Sequence, residues 1–298
     1  MHKIITFLGK YPKETTYQYE GQIYTGRVFA EAMHQFFDFD EMLVFTTAEA
    51  AETTWPVLEA LDDSRIRAIP IPIGRDEDEL WDIFDCLTQK VIEGDSVIFD
   101  ITHGLRSIPF LVFLAAAYLK EARNVTVEKI VYGAYELGQP APVIDLSKFA
   151  PLLDWLTATD RFVETGDGRP LANLLRAAGR FEHPQRKLTP QEQATSDACG
   201  RIRQAASAIE ETSRALLTTL IPQAERASHL LAIRLAEAES DLAQQAPPYR
   251  VLAERVRTTY APFALEAPMS DALETDLLVQ LEICLLYTSD AADEEDSV

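Results

Sequence analysis

The chain has 298 residues, 47% hydrophobic and 25% charged, enough for roughly two domains that each bury a core. A formal net charge of −21 argues against broad electrostatic binding to nucleic acid, which needs Lys and Arg arrayed against phosphates. An anionic ligand must therefore be held locally, by backbone N–H groups, a helix N-terminus and a few basic side chains.

The first half alternates short β-rich runs with helical patterns. KIITFLG, EMLVFTT, IRAIPIPI, DSVIFD, VEKIVYGAYE and PVIDL read as strands; YTGRVFAEAMHQFF, AEAAETTWPVLEAL, DEDELWDIFDCLTQKVIE and LRSIPFLVFLAAAYLKEA carry the apolar spacing of helices. Strand and helix in alternation predict an α/β, Rossmann-like domain over residues 1–146, a mostly parallel sheet with helices on both faces. Runs such as VIFDI are apolar at nearly every position, as burial on both faces requires. The N-terminal MHKIITFLG reads as the first strand; its apolar run is too short for a secretory leader. No apolar run approaches the ~20 residues that cross a bilayer, so a cytoplasmic protein with no membrane partner is expected. Cys86, Cys199 and Cys284 share neither metal-ligand nor disulfide spacing, and no metal site is expected.

From about Ser147 strand-like runs disappear and helices rich in Ala, Leu, Arg and Glu take over, broken by ETGDGRP, EHPQRKLTP and QQAPPYR. We expect a helical linker over 147–185 and an α-helical region over 186–283. The last fifteen residues, from Cys284, differ again: CLLYTSDAADE resembles the translation of a sequencing-library adapter. On that likeness 284–298 is expected to be an artefactual tail, with the natural sequence cut short at Ile283.

In open α/β sheets ligands bind beyond the carboxyl ends of the strands. Polar and glycine residues follow the predicted strands there: Gly9-Lys10-Tyr11, Thr46-Thr47, Gly74-Arg75, Asp100 to Ser107, and Gly133-Ala134-Tyr135. Asp100 to Ser107, DITHGLRS, is the densest. Gly104 relaxes the turn, Thr102 and Ser107 bring hydroxyls, His103 and Arg106 bring donors, and a helix is expected to start near Leu105 with free N–H groups. These make a compact anion cradle. A capped turn alone explains Thr102 and Gly104 and leaves Asp100, His103 and Arg106 without a role. The nucleophile elbow GxSxG and the dinucleotide fingerprint GxGxxG are both missing from the turns where they would act. In GKYPKETTY, Gly9 allows close approach, Lys10 brings charge, and Tyr11, Thr16 and Tyr17 offer hydroxyls and stacking faces.

FDITHGLRSIPF (99–110) resembles the Asp-x-Thr-His-Gly signature of the CRISPR-associated DxTHG proteins. FLG, TTYQY, YTGRVFAEAM, VFTTAEA, PIGRDEDELWDIFD, VYGAYE and DLSKFAPLLDWLTATDRFVETGD are similar to that family in the same order, over about residues 3–180. The resemblance implies an N-terminal CARF domain, a Rossmann-like sensor of cyclic oligoadenylate. It also implies a homodimer that clasps the ring, most often cyclic tetra-adenylate, and no cofactor. Carried over by motif, Asp100, Thr102, His103, Gly104 and Arg106 would line the phosphate side of the pocket, and Gly9, Lys10, Thr16 and Tyr17 the other side. Asp100 is expected to receive hydrogen bonds from turn amides or a ribose hydroxyl rather than to meet phosphate.

Members of the family carry a C-terminal HEPN ribonuclease domain with an Arg-x4–6-His motif, which would make RNA the substrate of the intact protein. Here Arg226 and His229 have only two intervening residues; Arg176 and His183 have six, as the motif allows, but straddle an apparent helix end, and neither pair sits in the expected C-terminal context, so the motif is expected beyond Ile283. The rival expectation is a ring nuclease, in which Lys10, His103 or Ser107 stabilises charge while the ligand's own 2′-hydroxyl attacks.

Overall fold

The computed structural model describes residues 1–263 other than 104, 105 and 220, in two compact units that meet at Pro151 and Leu152. The region beyond Phe263, which includes the adapter-like tail and the segment expected to precede an effector motif, lies outside the described residues.

The first unit is built on β1 (His2–Phe7), β2 (Thr15–Tyr19), β3 (Gln22–Gly26), β4 (Glu41–Thr46), β5 (Ile66–Pro70), β6 (Ser96–Asp100), β7 (Thr126–Gly133) and β8 (Ala141–Asp145). They form one sheet in the order β3-β2-β8-β7-β6-β1-β4-β5. β7, β6, β1, β4 and β5 run parallel; β8 is antiparallel to β7, β2 is parallel to β8, and β3 is antiparallel to β2. The expected α/β sheet, mostly parallel, is what the chain forms.

Alternate residues of a strand face opposite sides of the sheet, so a central strand must be apolar throughout. Ile4 packs with Met42, Val44 and Ile98 against α1 (Phe29–Phe36), α2 (Ala48–Thr53) and α3 (Trp55–Glu59). Its neighbour Ile5 packs with Leu43, Phe45, Val97 and Phe99 against α4 (Glu77–Gln89) and α5 (Ile108–Arg123) on the other face. The acidic run before α4 caps that helix: Asp76 accepts from the Glu79 amide, and Glu79 Oε2 accepts from the amides of Gly74 and Arg75 at 2.8 and 2.9 Å. The Gly74-Arg75 turn thus gives its amides to its own helix.

Two boundaries depart from the sequence reading. Residues 15–26 form the β2–β3 hairpin rather than a loop and the start of a helix; Glu20 (φ 47°) and Gly21 (φ 85°) make its tight turn. α1 accordingly begins at Phe29, where Glu31 Oε2 takes the Val28 amide at 3.0 Å. α5 begins at Ile108 rather than near Leu105, with Ser107 at the N-cap and Pro109 in the first turn.

The second unit is helical: α6 (Pro151–Thr165), α7 (Arg169–Ala178), α8 (Pro190–Leu217), α9 (Ile221–Gln245) and α10 (Pro247–Tyr260). Three of the four breaks between these helices fall at the Gly- and Pro-rich segments read from the sequence; the one between α8 and α9 does not. α8 opens on a capping box in which Thr189 and Glu192 exchange bonds. The segment read as a linker carries α6 and α7, and its Trp155, Phe162, Leu171 and Leu175 share one apolar cluster with Ile209, Leu235 and Val256. Among the described residues no helix is long and apolar enough to cross a membrane.

Candidate ligand site

β1 stands between β4 and β5 on one side and β6 and β7 on the other; the segment after β1 leans toward β4, where the Leu8 amide donates to the Phe45 carbonyl at 3.0 Å, and the segment after β6 leans toward β7, where the Ile101 amide donates to the Val131 carbonyl at 3.1 Å. β1 and β6 are adjacent strands whose following segments part, which makes the crevice where such folds take ligands. Gly9 and His103 face each other across it: a Cβ at Gly9 would lie 3.7 Å from that of His103.

Asp100 closes β6 and is fully buried. Its Oδ2 accepts from the Thr6 hydroxyl of β1 at 2.6 Å and its Oδ1 from the Thr102 amide at 2.7 Å. Burial raises its pKa to about 6, against the opposing hydrogen bonds from Thr102 and Thr6. Thr102 is also buried, and its hydroxyl accepts from the Gly133 amide of β7 at 2.7 Å. Both were expected to line the phosphate side. The structure instead turns their polar atoms inward, where a buried carboxylate and hydroxyl have to be satisfied. Asp100 receiving a turn amide matches the expectation for that residue.

His103 is the first motif residue to reach the crevice. It is half-buried, stacks on Tyr135 with ring centroids 5.9 Å apart, and its Nε2 accepts from the Phe29 amide at 3.4 Å. Burial lowers its pKa to about 4, with Glu136 acting the other way. The ring is therefore neutral at pH 7, and an imidazole that accepts at Nε2 carries its proton on Nδ1, a single donor. Gly104 lies outside the described residues. Arg106 is exposed and Ser107 half-buried, with no cap bond from the Ser107 side chain. Because Pro109 has no N–H, the start of α5 offers fewer free amides than expected.

On the other wall, Lys10 and Tyr11 are exposed. Lys10 Nζ lies 3.4 Å from Glu49 Oε1 on α2 and 5.2 Å from the Tyr11 ring centroid, and the Glu49 hydrogen bond raises its pKa. Thr46 is buried at the end of β4 and does not reach this wall; its neighbour Thr47 does, and also caps α2 through the Ala50 amide at 3.3 Å. Thr16 and Tyr17 are not on the β1 loop at all. β2 lies four strand positions from β1, about 19 Å away at the usual strand spacing. There the Thr16 hydroxyl pairs with that of Thr25 at 2.9 Å, and Tyr17 is buried against Phe29 at 4.8 Å between ring centroids. The hairpin removes them from the wall that the sequence assigned to them.

Sequence reasoning missed what adjoins the crevice: a cavity of about 270 Å³ beyond the ends of β1, β4 and β5. Phe7, Leu8, Phe45, Ile71, Ile73, Ile83 and Ile108 line it, with Lys10, Thr47 and Glu49 as its polar and charged side chains. A signal was available. In IRAIPIPI the apolar residues run on past the strand end at Pro70, where a polar loop is the norm.

No family model matches the chain. It is 35% identical over 112 residues to the CRISPR-associated protein MJ1674 of Methanocaldococcus jannaschii, a match that takes in 35% of this chain and 18% of that protein. The match thus spans less than a fifth of its relative's length. Among solved structures, Can2 from Sulfobacillus thermosulfidooxidans, in complex with cyclic tetra-adenylate, is 13% identical at a TM-score of 0.28, covering 75% of this chain and 69% of that one. The likeness to CRISPR-associated proteins read from the sequence is met by the relative in Methanocaldococcus.

Proposed function

We propose that the first unit is a CARF-type sensor that binds cyclic oligoadenylate, with cyclic tetra-adenylate as the leading ligand, in CRISPR-linked defence. The observation that carries this reading is the junction of two environments at one sheet edge. His103 carries one N–H donor at Nδ1 beside Gly9 and the exposed Arg106 follows three residues on, while the cavity that Gly9 and Lys10 line is apolar enough for a nucleobase. A nucleotide needs both. In a chain of charge −21, a site made of a few local donors favours a defined nucleotide over polymeric nucleic acid.

The ligand ring has two-fold symmetry, which suits an isologous dimer whose protomers contribute the same residues. Support for such a partner comes from α5, which leaves the crevice turn and exposes Phe110, Leu114 and Tyr118 along one face. In the intact protein, ligand binding would favour one arrangement of the dimer and so activate a HEPN ribonuclease in the helical part. Coupling of that kind requires different ligand affinity in the two arrangements.

Incubating the chain with cyclic tetra-adenylate while following both binding and ring integrity tests this. Binding with the ring intact is the expected result. A linear product would replace the sensor with a ring nuclease, and no binding would overturn both. The sensor is favoured because His103 spends Nε2 on the Phe29 amide and so has no free acceptor for a proton from the ligand's 2′-hydroxyl.

A further inference from the structure

Lys10 is the basic side chain that lines the cavity, and it is already engaged. Its ammonium sits 3.4 Å from Glu49, its carbonyl accepts from the Thr53 hydroxyl at 3.1 Å, and both tethers come from α2. Glu49 and Lys10 both line the cavity, and each is about half exposed, 53% and 47%. The pair thus joins the segments that follow β1 and β4, across the end of the cavity that a ligand phosphate would approach from the crevice.

A phosphate that reaches Lys10 must displace the carboxylate or share the ammonium with it, and sharing places two anions side by side. We propose that Glu49 is a built-in competitor for the ligand's phosphate: it holds Lys10 in the empty site and gives it up on binding. This rests on the reading of the crevice as a nucleotide site. It assigns Glu49 a positioning role that sets affinity and selects ligands able to outbid a carboxylate. A phosphodiester flanked by a base in the apolar cavity can do so, because base burial adds binding that a free anion lacks. The pair is solvent-exposed, so the competition is mild and reversible.

The test is a double-mutant cycle on the full chain, with cyclic tetra-adenylate as one probe and inorganic pyrophosphate as a second that needs no base site. Glu49→Gln should tighten both probes by about fivefold, the size expected for an exposed ion pair. Lys10→Met should weaken both, and in that background Glu49→Gln should change affinity by less than about twofold. Unchanged or weaker binding by Glu49→Gln overturns the proposal. So does equal tightening with and without Lys10, which would mean that Glu49 acts by general repulsion. If pyrophosphate follows the expected cycle while cyclic tetra-adenylate does not bind, the nucleotide reading fails and the competitor stands. If neither probe binds wild type or Glu49→Gln, both fail.

Discussion

Asp100 and His103 lie in one turn, and burial moves their protonation in opposite directions. Asp100 holds its proton to about pH 6 in the folded state, against 3.8 for an ordinary carboxyl, so its stabilising contribution is complete below 3.8 and lost as pH rises through 6. His103 stays neutral down to about 4 against an ordinary 6.5, so its contribution is complete above 6.5 and lost as pH falls through 4. Between about 4 and 6 the folded state carries the proton on Asp100 and the unfolded state on His103, and the two slopes cancel. Single substitutions should uncover each slope. Relative to wild type, Asp100→Asn should lose stability as pH falls from 6.5 to 4, and His103→Gln should gain it, by up to about 3 kcal/mol, as pH falls from 6 to 4. Urea unfolding of the three proteins at several pH values reads this directly. A difference from wild type that is flat across the range would mean that Asp100 is not held in the environment described.

At the scale of elements, the turn after β6 is fastened to both neighbouring strands, by Asp100 to β1 and by Thr102 to β7. Thr102→Val keeps the shape and leaves the buried Gly133 amide without its acceptor, and should cost about 1–3 kcal/mol. Gly133→Ala should be of similar size for a different reason: a Cβ there would fall 2.8 Å from Phe29 Cδ2 and 2.9 Å from Tyr17 Cε1, both rings fixed in the core. Denaturant midpoints check both, and a neutral Gly133→Ala would show that the rings yield. These contacts also explain what was legible in the sequence. β1, β4 and β6 announce themselves because burial on both faces demands unbroken apolar runs, and the polar and glycine residues that follow β1 and β6 mark where the crevice lies. TTYQY hid its strand because an edge hairpin needs only alternate apolar positions, and its hydroxyls read as loop chemistry. Asp100 and Thr102 were found as important but assigned the wrong direction. A motif's spacing does not reveal which members turn inward to hold the turn.

For the whole molecule, charge restricts how copies can meet. Two chains of −21 repel over most of their surfaces, so a self-contact has to use an uncharged patch. From Ile108 to Leu119, α5 carries no charged residue, yet Phe110, Leu114 and Tyr118, one turn apart, are 66%, 42% and 46% exposed. Trp81 and Phe84 of α4 extend the patch through edge-on contacts that reach Tyr118. A two-fold axis parallel to α5 would set two copies of this face together and bring both crevices to the same end, where one symmetric ring could touch each. Phe110→Glu and Leu114→Glu should therefore each yield monomer in sedimentation at concentrations where the wild type is dimeric, and should weaken cyclic tetra-adenylate binding by at least about tenfold, since a lone crevice keeps half the contacts. Phe110→Lys should do the same, because the loss is of apolar packing rather than added repulsion, and circular dichroism should show all three folded. Rising salt should tighten the proposed dimer by screening the repulsion between the acidic surfaces, the opposite of what an interface held by ion pairs would do. A dimer that survives all three substitutions would place the two-fold contact on another face and leave the crevices apart.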